Sequence, residues 1–153
     1  MTIDRCSIVL TLAMLTLATD AAAQPQRFEL SVTPLSINFP PGDPDVVPLL
    51  LSTPVNVTYR LRGNQRPWIL SVLAGGDLIS GSASVDISSV SWVATPAPPF
   101  QSGTLSKTVA QTLASGTGNV PVATGSVTFR LANLWTYSAG TYTQTVTFTL
   151  STP

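Results

Sequence analysis

Proton transfer and nucleophilic attack need side chains that titrate or attack near neutral pH, and this 153-residue chain holds few of them. It has no histidine and a single cysteine, Cys6. Past residue 23, Ser-His, Cys-His and histidine–zinc arrangements are therefore out of reach. What remains there is Glu29, Asp43, Asp45, Asp77 and Asp86. A glycosidase sets two carboxylates across a cleft. Asp43 and Asp45 are close in sequence, but they sit in and just after the turn Pro40-Pro-Gly-Asp-Pro44, where aspartate is a turn former. As calcium ligands they are two carboxylates, too few to define a hard-oxygen cage. No glycine-rich loop follows a strand and opens a helix, and Gly116-Thr-Gly118 reads as a flexible loop. The sequence predicts no catalytic, cofactor-binding or metal-ligating residue, hence a non-enzymatic protein with no cofactor.

Binding is the chemistry left to consider. Arg60, Arg62 and Arg66 fall across an expected hairpin and offer a clasp for an anionic sugar or phosphate; the simpler reading is a solvated strand face. Trp135 and Tyr137 stand in the polar connection before the last strand, where a ring either stacks on a sugar or caps a sandwich. Trp68 shares strand parity with Leu70 and Val72, and Trp92 lies beside Val90, so both are expected in the core. Asn56-Val57-Thr58 matches an N-glycosylation acceptor, a chance match in a chain whose leader looks bacterial. Charged residues make up 9% and the formal net charge is +0, so there is no basic field to hold nucleic acid. A surface this weakly charged and rich in Ser and Thr is prone to adhere or self-associate.

The elements that must position these groups begin with a leader. Arg5, the apolar run Ser7 to Ala18 and the small-residue site Ala21-Ala22-Ala23 predict a secretory signal peptide, residues 1–23, leaving Gln24 as the mature N-terminus. A dozen or so apolar residues fall short of the ~20 needed to span a bilayer, so no membrane span is expected after processing. Cys6 precedes the apolar run, the wrong side of it for a lipid anchor. Residues 24–153 are then one secreted domain, at the cell surface, outside the cell or in the periplasm. It has no disulfide and enough length to bury a core without one.

No segment of that domain has a helical period. Short stretches alternate apolar and polar residues between Gly, Pro, Asn and Ser clusters, the pattern of strands. Phe28, Leu30 and Val32 hold one parity, and after Pro34 the parity shifts to Leu35, Ile37 and Phe39, as at an edge strand with a bend or bulge. Val46 to Leu51 reads as a short buried strand. Val55 to Leu61 and Trp68 to Val72 read as a hairpin about Gly63-Asn-Gln-Arg-Pro67. Val85 and Ile87 are out of phase with Val90 and Trp92, which suggests a bulge near Ser88-Ser89. Leu105 to Leu113 is either a strand or an irregular crossing, and Ala114 to Val120 reads as a loop. Val127, Phe129 and Leu131 mark one late strand. Tyr142, Val146, Phe148 and Leu150 mark the last, with Thr141 to Thr149 on its solvated face. The fold expected is all-β: a single antiparallel immunoglobulin-like β-sandwich of about eight to ten strands.

Trp68-Ile-Leu70 after Arg62-Gly63, together with the ending Tyr142-Thr-Gln-Thr-Val-Thr-Phe-Thr-Leu-Ser-Thr-Pro153, resembles the WxL domain. Phe148-Thr-Leu150 stands where that family's second Trp-x-Leu lies. The resemblance implies a secreted surface protein that associates with cell-wall or matrix polymer. Leu30 to Phe39 and Ala139 to Phe148 are similar to BACON-type domains, which implies a carbohydrate-binding module with an extracellular polysaccharide as partner. The Ala139-Gly-Thr-Tyr142 ending also resembles spore-coat-U and chaperone–usher pilin subunits, which implies assembly with other surface proteins by strand exchange. Thr152 stands where pilins usually carry a penultimate tyrosine.

Overall fold

Alternating burial along nearly every strand gives the chain two inner faces and one core between them. The computed structural model describes residues 5–12 and 26–153. The expected cleavage segment Ala21-Ala22-Ala23 and the expected mature start at Gln24 lie outside the described residues. In chain order the strands are β1 (Arg5–Leu12), β2 (Arg27–Thr33), β3 (Ser36–Phe39), β4 (Leu49–Leu51), β5 (Val55–Arg62), β6 (Pro67–Ala74), β7 (Leu78–Ser80) and β8 (Ala83–Val85). After a 3-10 turn at Ile87–Ser89 come β9 (Val90–Thr95), β10 (Gly103–Thr104), β11 (Gln111–Thr117), β12 (Val120–Ala132) and β13 (Thr141–Ser151).

The expected β-sandwich is what forms. One sheet runs β11-β6-β13-β1-β3, with β7 on β13 and β8 on β7; the other runs β10-β9-β12-β5-β2, with β4 on β12. Every pairing is antiparallel except β1 with β13. The strand count exceeds the expected range because β4, β7, β8 and β10 are only two or three residues long, too short to show a period. Leu70, Val72, Val146 and Phe148 of one sheet face inward, as do Val57, Tyr59, Trp92, Val127 and Phe129 of the other, and all are buried. Trp68 and Trp92 are core residues, as their parity predicts. The threonines of β13 are half-buried or exposed on its outer side.

Several local expectations change. The hairpin about Gly63 to Pro67 is instead a crossing, with β5 in one sheet and β6 in the other. A short Gly/Asn link running into Pro67 reads the same in either role; the difference lies in the long-range partners. With no ladder to hold the crossing, buried Asn64 does so. Its Nδ2 donates to the carbonyls of Arg66 and Gly118, and its amide donates to Asn119 Oδ1. Gly63 takes φ 67° there, a left-handed conformation natural to glycine. The parity shift at Pro34 likewise marks a change of sheet, since β2 and β3 are edge strands of different sheets.

Val46 to Leu51 is a buried strand only at Leu50, and Val46 is 77% exposed. The phase change after Ile87 is a 3-10 turn capped by Asp86 rather than a bulge. Leu105 to Ala110 forms no strand, and the expected loop from Ala114 is strand β11 as far as Thr117. The small residues there serve packing: a Cβ on Gly116 would come within 2.7 Å of Trp68 Cζ2. Gly103 lies under Trp92 in the same way, and Gly125 lies against Phe100.

Candidate functional site

The sheet that holds β13 has a feature the other sheet, among the described residues, does not share. Strands β13 and β3 are both resident in the region after the expected leader, yet they do not pair with each other. Between them lies β1, drawn from inside the expected leader. It pairs in parallel with β13 from Arg5 opposite Thr141 to Leu12 opposite Phe148, and antiparallel with β3 from Cys6 opposite Phe39 to Val9 opposite Ser36. β1 thus fills a slot one strand wide, with walls two inter-strand spacings apart, about 9–10 Å.

The walls of the slot are apolar on the inner side. Ile37 and Phe39 of β3, and Tyr142, Val146 and Phe148 of β13, belong to the buried core of the chain as described. Paired residues on neighbouring strands share a face of the sheet. An occupant's positions opposite Tyr142, Gln144, Val146 and Phe148 therefore face the interior. The geometry suits an extended segment about as long as β1, eight residues, with apolar residues at alternate positions.

Gln144 on the β13 wall is tied to a polar latch behind it. Its Nε2 donates to the Asp77 carbonyl at 2.6 Å. Asp77 Oδ1 accepts the Ile87 amide, and Lys107 Nζ donates to Asp77 Oδ2 at 2.6 Å. Lys107 also lies 4.0 Å from Asp86, whose Oδ1 accepts the Ser88 amide and hydroxyl. The Lys107 hydrogen bond, then the Ile87 amide, hold the Asp77 carboxyl below the usual range. Ser88 does the same for Asp86, and Asp77 raises Lys107. A carboxylate with a depressed folded pKa stabilises above its unfolded pKa and loses that contribution as pH falls through its folded pKa. Lys107, with its pKa raised, contributes below its unfolded value and loses that contribution as pH rises through its folded pKa. The melting temperature is thus expected to hold between about pH 5 and 9 and to fall below about pH 4, the ordinary Asp value. In Asp77→Asn the acid fall should be shallower. An equally steep acid fall in the variant, followed by circular dichroism melts, would remove Asp77 from this account.

The residues singled out as ligand-facing divide between opposite ends of the sandwich. β12 starts with Val120 opposite Leu61 and ends with Ala132 opposite Leu49, a run of about 40 Å at 3.3 Å per residue. At its far end, buried Asn133 Nδ2 donates to the carbonyls of Gly42 and Val47. The next turn presents Trp135, 48% exposed, whose Nε1 donates to Asp45 Oδ1 at 3.0 Å. Asp43 Oδ1 accepts the Asp45 amide, so this pair shapes a turn as its sequence suggests. Tyr137 packs against the core and is only partly buried.

Arg62 and Arg66 are exposed at the near end, where Arg62 pairs across strands with Arg27. Arg60 is partly engaged: its Nε donates to the Pro121 carbonyl, and its Nη1 lies 3.7 Å from Glu29. The fold therefore does not bring Trp135 and Tyr137 together with Arg60, Arg62 and Arg66. The residues that carry the two Trp-x-Leu-like motifs, Trp68, Leu70, Phe148 and Leu150, are buried, with Leu70 and Leu150 directly paired. Among the described residues no three His, Cys, Asp or Glu side chains gather in a metal-binding group.

Sequence reasoning did not single out Ile37, Phe39, Tyr142, Val146 and Phe148 as a site. Each reads correctly as an apolar strand face, but that β3 and β13 flank one gap is a long-range fact with no local signal. No protein-family model matches the chain, and no curated protein matches it either.

Proposed function

We propose that this chain is a secreted structural subunit whose slot between β3 and β13 accepts a β-strand from another polypeptide, so that it assembles by strand exchange. The observation that carries this reading is the identity of the present occupant. The strand in the slot comes from residues 5–12, within the segment expected to be removed on export. Loss of residues 1–23 leaves the facing backbone groups of β13 and β3 unpaired and uncovers the inner faces of Ile37, Phe39, Tyr142 and Phe148. Unpaired edges of this kind template pairing with another chain, and strand addition supplies main-chain hydrogen bonds for affinity and alternate side chains for specificity. The weakly charged, Thr-rich surface fits a structural role.

The test uses the exported protein, resolved by size exclusion into monomer and higher species. A synthetic peptide of the residue 5–12 sequence should raise the monomer's melting temperature by roughly 5 °C or more at saturating peptide. It should also slow amide exchange at residues 36–39 and 141–148. The same peptide with Asp at its Ile8 and Leu10 positions should do neither. Protein that runs only as monomer, already protected at residues 141–148 and indifferent to the peptide, overturns the reading.

The exposed indole of Trp135 favours a second reading, a soluble module or adhesin that holds cell-wall or extracellular polysaccharide at that end of the sandwich. Trp135→Ala should then abolish retention on such a polymer while leaving the response to the residue 5–12 peptide unchanged.

A further inference from the structure

We infer that the two ends of the sandwich are complementary docking surfaces through which a second copy of this chain binds head to tail. The few charges of residues 26–153 are sorted by end. Arg27, Arg60, Arg62 and Arg66 share the near end with Glu29, which leaves a net charge of +3 there. Asp43, Asp45, Asp77 and Asp86 share the far half with Lys107 and Arg130, which leaves a net charge of −2. The sorting follows from strand direction. Arg62 ends β5 and Arg27 starts β2, directly opposite each other, while β12 leads away from them to the turn that holds Asp45 against Trp135.

The near end carries its positive charge at a local cost. Like charges directly opposite on neighbouring strands destabilise a sheet, and Arg27 and Arg62 have no ion-pair partner among the described residues. The far end is negative and also apolar: Val46 is 77% exposed, and Leu134 and Trp135 are each nearly half exposed beside Asp45. An apolar centre with charges at its rim is the make-up of a protein interface. A partner complementary to it presents arginines whose stems cover apolar surface, and the opposite end of this chain presents them. Because the two surfaces are different patches at opposite ends, the contact is heterologous and propagates as a filament instead of closing as a dimer. This inference goes beyond strand exchange, since it concerns the end faces and holds whatever occupies the slot.

Charge exchange between the ends tests it. One variant of the exported protein carries Asp43→Lys and Asp45→Lys; another carries Arg27→Glu and Arg62→Glu, which keeps a like-charged cross-strand pair and so balances its effect on folding. All four positions are exposed, and thermal melts check that each variant remains folded. Reversible self-association of the wild type, followed by sedimentation velocity at low salt, should weaken as ionic strength rises to 1 M, where the screening length is about 3 Å. Each variant alone should associate at least about tenfold more weakly, because it sets like charge against like. An equimolar mixture of the two should recover to within about threefold of the wild type, since each modified end then meets its complement. Three results would overturn the inference: monomers at every salt concentration, weakening without recovery in the mixture, or loss of heparin binding in the Arg27→Glu, Arg62→Glu variant with self-association unchanged. Species that resist 1 M salt and ignore both variants would overturn it too, while leaving strand exchange in place.

Discussion

Trp92→Ala is expected to lower the free energy of unfolding by about 3–5 kcal/mol, the range for large aromatic truncations in cores. Trp92 is 1% exposed, on β9 between the edge strand β10 and β12. Its Nε1 donates to the Gln101 carbonyl at 2.8 Å, so truncation opens a cavity and also removes that carbonyl's partner. The ring lies over Gly103, where an added Cβ would come within 2.7 Å of Trp92 Cζ2 and Cη2. Gly103→Ala should therefore also destabilise, and the two substitutions combined should cost less than their sum, as sites in contact do. Trp68→Ala and Phe148→Ala belong in the same range, since both side chains are buried. Urea melts that shift by less than about 1 kcal/mol in all three aromatic variants would mean these rings do not build the core.

Deleting residues 24–33 is expected to abolish folding. Strand β2 pairs with β5 over seven residues, from Arg27 opposite Arg62 to Thr33 opposite Asn56. Leu30 and Val32 are buried and Phe28 packs against the core. At about 1.5–3 kcal/mol for each buried apolar side chain, their loss with the ladder takes most of the 5–15 kcal/mol that holds a domain together. β2 is thus a resident strand of its own sheet, and the slot lies in the other sheet. The exported truncated protein should give no cooperative melt and should aggregate on size exclusion. A folded, monomeric truncated form would show that β2 is dispensable and free to be donated to a neighbour.

Much of the fold was legible because strand parity is local. Val55 to Leu61, Trp68 to Val72 and Tyr142 to Leu150 each show their buried side in the sequence. What parity does not carry is the identity of the neighbour. The link from Gly63 to Pro67 suits a hairpin and a crossing equally, and only Asn64, with its four hydrogen bonds, distinguishes them in the folded chain. Gly116 reads as a loop residue until Trp68 is found above it. The slot was hidden for a further reason: the residues that fill it look like a leader, and the residues that flank it, Ile37 with Phe39 and Tyr142 with Phe148, lie about a hundred positions apart. The arginine and tryptophan candidates were found as residues, but their separation to opposite ends follows from the direction of β12, which composition does not encode.

The direction of the slot has a mechanical consequence. β13 runs lengthwise along the sandwich, so a strand seated beside it lies along the same axis as the line joining the two ends. Tension applied along that line would load the seated strand in shear. Its backbone bonds to β13 would carry the force side by side and would have to fail nearly together. A strand seated crosswise would instead peel away one bond at a time. A fibre built from such subunits would resist stretching far better than the modest strength of any one of its hydrogen bonds suggests.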